Sequence, residues 1–179
     1  MPHPLTTLAI LALSAGIGSV AQAQGAPQPT AEHKRLGYFV GKWSVEGEMK
    51  PGPMGPGGKY TATDSCDWFE GGFSVVCRSE GRMPTGPAKS MGILSYSTEE
   101  KAYTYYGTDN MGMTMASVAK GTLQGDTWTY TDESMMGGQK IKSRVLIKEL
   151  SPTSYTFKME IQTPNGKWVP VMEAKNTKS

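Results

Sequence analysis

From residue 42 to residue 175 the chain alternates apolar and polar residues with a period of two, run after run, with short turn sequences between the runs. Trp43, Val45 and Met49 alternate with Lys42, Ser44, Glu46 and Glu48. Trp128 and Tyr130 alternate with threonines, and Ile141, Ser143, Val145 and Ile147 with Lys140, Lys142, Arg144 and Lys148. Tyr155, Phe157, Met159 and Ile161 alternate with Thr156, Lys158, Glu160 and Gln162. Successive side chains of a strand point to opposite faces, so each run reads as a strand with one apolar side. Further strands are expected over 90–96, 101–108, 111–123 and 168–175. About ten strands joined in order by short turns make an up-and-down meander. Such a meander satisfies its apolar faces by rolling into a closed barrel, which also removes unpaired edges. The expected fold is therefore all-β: an antiparallel up-and-down barrel with a short N-terminal helix.

Residues 61–81 read TATDSCDWFEGGFSVVCRSEG. Gly71-Gly72 between two β-rich runs signals a two-residue hairpin, because tight primed turns need positive φ. Folding the chain there sets Glu70 opposite Phe73, Trp68 opposite Val75 and Cys66 opposite Cys77, the only two cysteines. A disulfide is expected, contributing about 2–3 kcal/mol, with reduced adjacent thiols as the second reading. A strict two-residue loop would put the cysteines in a hydrogen-bonded pair, where Cα atoms stand farther apart. A bulge or a longer loop through 70–73 relieves that. The spacing is not C-x-x-C, which argues against redox catalysis.

The opening MPHPLTTLAILALSAGIGSVAQAQ carries an apolar run from Leu5 to Val20 and ends in Ala21-Gln22-Ala23, a signal-peptidase pattern. We expect a signal peptide over 1–23, a disordered tail over 24–29 and a barrel domain over 30–179, exported to the periplasm or secreted. No other apolar stretch is long enough for a membrane span. The formal net charge of +2 gives no reason to expect a nucleic acid or an anionic membrane as partner. Thr30 reads as the N-cap of a brief helix with Glu32 in its first turn. Leu36, Phe39 and Val40 give that helix one apolar face, and Gly41 stops it. Such a helix covers a barrel end, and PGPMGPGG at 51–58 is a loop at the mouth. Pro164-Asn165-Gly166 suits a type I′ turn.

Gly41-Lys42-Trp43, placed after the helix and opening the first strand, resembles the G-x-W signature of lipocalin and calycin barrels. EHKRLGYFVGKWSVEGEM, the GGF hairpin and GPAKSMGILSYSTEEKAYTYYGTD together resemble the bacterial domain of unknown function 1579, a lipocalin-like family. The resemblance covers roughly 32–175. It implies a β-barrel with the tryptophan closing its base, and it brings no reaction, substrate or catalytic residue.

His33 is the only histidine past residue 23. It is expected to be partly exposed on the helix, too little for an imidazole metal or haem site or a Ser-His-Asp set. Glu46, Glu48, Glu99, Glu100, Asp126, Asp132 and Glu133 read as solvated. Asp64 shares a face with Cys66 and Trp68, and the expectation is a strand-end carboxylate in water or paired with an arginine. Met111, Met113 and Met115 form M-x-M-x-M, which on a strand aligns three thioethers, with Met135 and Met136 on an adjacent hairpin. Such a set can bind Cu(I) or line a pliable apolar cavity, and the second reading is preferred. Lys140, Lys142, Arg144 and Lys148 read as a solvated face. The functional expectation is a non-enzymatic barrel without cofactor that binds a small hydrophobic ligand. Trp43, Trp68, Tyr105, Met113, Met115, Trp128, Tyr130, Phe157 and Met159 are the candidate lining. A ligand-free structural or interaction domain is the alternative.

Overall fold

The structure, a computed structural model, describes residues 25–52, 55–112, 118–136 and 139–179. The expected signal peptide, Met113 and Met115 lie outside the described residues. One helical turn, α1 (Ala31–Arg35), continues as a 3-10 turn (Leu36–Phe39). Then come β1 (Gly41–Met49), β2 (Gly58–Trp68), β3 (Ser74–Met83), β4 (Gly86–Ser97) and β5 (Ala102–Asp109). The second half holds β6 (Ala119–Gln124), β7 (Thr127–Met136), β8 (Gln139–Ser151), β9 (Ser154–Gln162) and β10 (Trp168–Lys178). Each strand pairs antiparallel with its sequence neighbours, and β1 also pairs with β10, closing the barrel.

Register and burial give each strand its inner side, since paired residues share a face. Trp43, Val45 and Met49 point in from β1; Tyr60, Ala62, Asp64 and Cys66 from β2; Trp128 and Tyr130 from β7. The expected alternation is therefore the one observed. Of the strand expected over 111–123, residues 113–117 lie outside the described residues, 111–112 form a turn, and β6 runs from Ala119. Met111 sits exposed in a turn, its N–H donated to Asp109 Oδ1 at 2.7 Å.

Local chemistry explains the turns. Cys66 and Cys77 are register partners joined by a disulfide, with Cα atoms 4.0 Å apart. That separation belongs to a non-hydrogen-bonded pair, and the loop shows why. Phe69 and Ser74 close the hairpin through Phe69 N–H to Ser74 O at 2.9 Å, so the loop is the longer one, 70–73. Counting from that bonded pair, every second pair is non-bonded, which brings Cys66 to Cys77. Gly71 and Gly72 both have positive φ there, +89° and +75°. The Pro164-Asn165-Gly166 turn is not type I′, because Gly166 has positive φ and Asn165 does not. Gly166 N–H reaches Thr163 O and Thr163 N–H reaches Lys167 O, both at 2.8 Å. This is a three-residue loop with Gly166 at the bulge position.

Tyrosine side chains lie close against several inward glycines. A Cβ on Gly47 would stand 2.5 Å from the Tyr60 ring, and one on Gly121 2.5 Å from Tyr130. The Tyr105 ring spans two glycines: a Cβ would meet it at 2.5 Å on Gly92 and 2.7 Å on Gly107. Only glycine allows so close an approach, and it lets a strand coil tightly.

Candidate ligand-binding site

The helix seals one end of the barrel. Leu36, Trp43, Val75 and Trp128 are fully buried, with Phe39 and Tyr155 beside them. Trp43 donates its indole N–H to Phe39 O at 2.7 Å, and its ring meets Tyr155 edge-on at 4.8 Å. Trp128 donates to Glu149 Oε1 at 2.6 Å, and Arg35 grips the same carboxylate at 2.5 and 2.6 Å. The Arg35 guanidinium also lies 5.3 Å from the Trp128 ring. Tyr38 donates to the carbonyls of Ser151 and Ser154, and burial, with Glu149 adding to it, pushes its hydroxyl up to about 12.

His33 is buried, not partly exposed as expected. Its Nδ1 accepts the Thr30 N–H at 3.2 Å, doing the work a Glu or Gln does in a capping box. The ring stands edge-on to Phe73 at 5.2 Å and Tyr96 at 5.6 Å. Spacing alone could not show this, because the aromatic neighbours come from β4 and the hairpin loop.

Away from the floor the interior changes character. Asp64, Ser79, Ala88, Tyr105, Asp132, Val145, Phe157 and Met159 lie on inner faces yet keep partial solvent exposure, and inward Ser90 is exposed. The inner face is thus tightly packed next to the helix and only half-buried farther along the barrel. At the end away from the helix the chain passes from β1 to β2, β3 to β4, β5 to β6, β7 to β8 and β9 to β10.

Asp64 is the carboxylate at the centre of this half-buried region. The expectation of a strand-end or arginine-paired carboxylate fails: Asp64 sits mid-strand, faces in opposite Trp43 on β1 and Ser79 on β3, and keeps only partial exposure. Burial raises its pKa above the ordinary aspartate range, and the hydrogen bond from Ser79 partly offsets this. Tyr60, Tyr105 and Tyr155 all feel its charge; burial first, and Asp64 second, raises each hydroxyl. These tyrosines stay neutral. Tyr130 and Asn176 also face in, are 4% and 3% exposed, and leave Tyr130 Oη and Asn176 Nδ2 without a hydrogen-bond partner.

Of the residues proposed from sequence, Trp43 and Trp128 make the solid floor. Tyr130 belongs to the same packed core, Tyr105 and Phe157 pack against it, and Met159 is inward and half-buried. Trp68 has the inward parity but stands at the rim of the sealed end, 39% exposed and against Gly37. Tyr60, Asp64, Ser79, Tyr155 and Asn176 are additional. The alternation that paired Asp64 with Cys66 was the available signal for it, whereas Asn176 lies beyond the strand expected to end at 175.

The outer wall is ordinary by comparison. An open groove of about 630 Å³ is lined by Glu46, Glu48, Lys59, Lys158 and Glu173 together with Gly47, Phe157 and Ala174, and Lys158 and Glu173 pair at 3.3 Å. The basic stripe of β8 is largely neutralised: Lys140 and Lys142 pair with Glu133. Arg144 binds buried Glu160 at 2.5 Å and stacks on Trp168 at 4.4 Å. Among the described residues no helix is long and apolar enough to cross a membrane, and no three His, Cys, Asp or Glu side chains gather as a metal site.

Solved structures with similar architecture include Rv2717c from M. tuberculosis, at TM-score 0.59 and 12% identity, covering 85% of this chain and 99% of that one. The S-type phycobiliprotein lyase CPES from Guillardia theta matches at TM-score 0.56 and 15% identity, covering 84% and 93%. At these identities the likeness is one of fold. No curated protein matches the chain by sequence. Residues 28–178 match the family described as protein of unknown function DUF1579, and with the lipocalin-like barrel now in view, the chain belongs to that family.

Proposed function

We propose that the protein is an exported, non-enzymatic binding module that holds a small, mainly hydrophobic ligand in the barrel lumen. The observation that carries this reading is the contrast along the barrel axis. The floor is packed shut, while Tyr105, Phe157, Met159 and their polar neighbours, all at inward positions, are only half-buried. Apolar walls with a few convergent polar groups are the usual make-up of small-molecule sites. Native mass spectrometry of protein purified from its source tests it. A retained small molecule, lost from a variant with Tyr105→Ala and Phe157→Ala, is the expected result. Repeated recovery of the bare chain, with no fluorescence response to any small ligand, would sink the reading. Export is supported by the disulfide and is checked by fractionating cells that express the full chain.

One observation favours the second reading, an interaction domain. Met91, Ile93 and Tyr106 are exposed together on the outer face of β4 and β5, with Ile93 and Tyr106 in register. Binding to Cu(I) needs Met113 and Met115, since Met111 alone supplies one exposed thioether; an anaerobic chelator competition with all three changed to Leu decides it.

A further inference from the structure

We propose that the lumen selects small organic cations: an amine protonated at neutral pH, its charge at Asp64 and its apolar body against the tyrosines. This rests on the lumen being a ligand site and names the chemical class it takes.

Charge is sorted by face. Asp64, Asp109 and Asp132 occupy inward positions of β2, β5 and β7. Among the described residues the cations on the inside are Arg35 and Lys178, and both belong to the sealed end. Arg35 is held by Glu149, and the Lys178 ammonium lies 4.9 Å from the Trp43 ring. The other strand lysines and arginines have outward parity. An anionic ligand would therefore enter against inward carboxylates, and a neutral one would leave Asp64 without a counter-charge.

The surroundings of Asp64 suit an ammonium in detail. Its side-chain partner is the Ser79 hydroxyl, which donates a hydrogen bond but brings no charge. Tyr60 shares the inner face of β2 with Asp64, and Tyr105 and Tyr155 face in from β5 and β9. Tyrosine faces attract cations, most strongly when water is excluded. Tyr130 Oη, nine-tenths buried and without a partner, can accept a hydrogen bond from an amine N–H. Asn176 Nδ2 is equally buried and unpartnered, and can only donate, so an acceptor atom on the ligand body would satisfy it.

The test uses three probes that differ in charge and share a ring and chain: 2-phenylethylamine, 2-phenylethanol and phenylacetate. Each is titrated into the full chain with tryptophan fluorescence and calorimetry as readouts. The amine should bind at least about tenfold tighter than the alcohol, and phenylacetate weakest of all. The isosteric Asp64→Asn should bring amine and alcohol to within about twofold of each other, while Glu46→Gln on the outer wall changes nothing. Circular dichroism of Asp64→Asn establishes that the variant is folded. Equal binding of the three probes would overturn charge selection and leave the ligand site standing. An amine preference that survives Asp64→Asn would overturn the role of Asp64. No binding of any probe at millimolar concentration, with a ligand retained in native mass spectrometry, would overturn the cation inference alone; no binding and no retained ligand would overturn both.

Discussion

Asp64 imposes a cost on the folded chain. Its folded-state pKa is raised, so the native state holds the proton to higher pH than the unfolded chain does. Stability therefore falls as pH climbs from the unfolded value, near 3.8, through the raised folded value, and the penalty is complete above the latter. Asp64→Asn should accordingly raise Tm at neutral pH and make no difference below the unfolded value; a thermal melt series across pH checks the sign. A residue that weakens the fold it belongs to is a candidate for work done elsewhere, as in many binding sites. Tyr130 gives a second test. Its hydroxyl is buried without a partner, so Tyr130→Phe should be neutral or stabilise by about 1 kcal/mol in denaturant unfolding. A clear loss of stability would mean that the hydroxyl has a partner in solution.

Among the elements, the β2–β3 hairpin and the glycine-backed tyrosines set the shape of the wall. The disulfide joins β2 to β3 one inward position from Asp64. Cys66→Ser with Cys77→Ser should cost about 2–3 kcal/mol, read from the urea midpoint. Gly107→Val puts a branched side chain where the Tyr105 ring now lies and should cost about 1–3 kcal/mol, with part of the loss recovered in a Tyr105→Leu background. Much at this scale was legible from the residues. Period two located nearly every strand, and pairing arithmetic from Gly71-Gly72 brought Cys66 to Cys77 although the loop is two residues longer than the tightest turn. Other features were not legible. His33 is buried by aromatic side chains distant in sequence. Gly92 and Gly107 read as weak strand positions until Tyr105 is seen lying across both. Asp64 had the correct parity, but an aspartate is solvated so often that the usual environment outweighed the local pattern.

For the whole molecule, the floor and the ring closure decide whether a barrel exists. Trp43 sits at their junction, fully buried, bonded to Phe39 and one strand from Lys178. Trp43→Ala should cost about 3–5 kcal/mol and loosen the N-terminal helix, visible as faster amide exchange at 31–39. A chain ending at residue 167 would lack β10 and leave β1 and β9 with open edges; it should lose cooperative unfolding, bind hydrophobic dyes and aggregate. The pairing of β1 with β10 also has a meaning in time. Synthesis delivers β1 first among the strands and its second neighbour, β10, last, so the growing polypeptide carries an unfinished seam until residues 168–178 emerge. Contacts of such long sequence separation form slowly. The native ring thus closes only after β10 has been made, and whatever shields the nascent chain must guard that first edge for the whole interval.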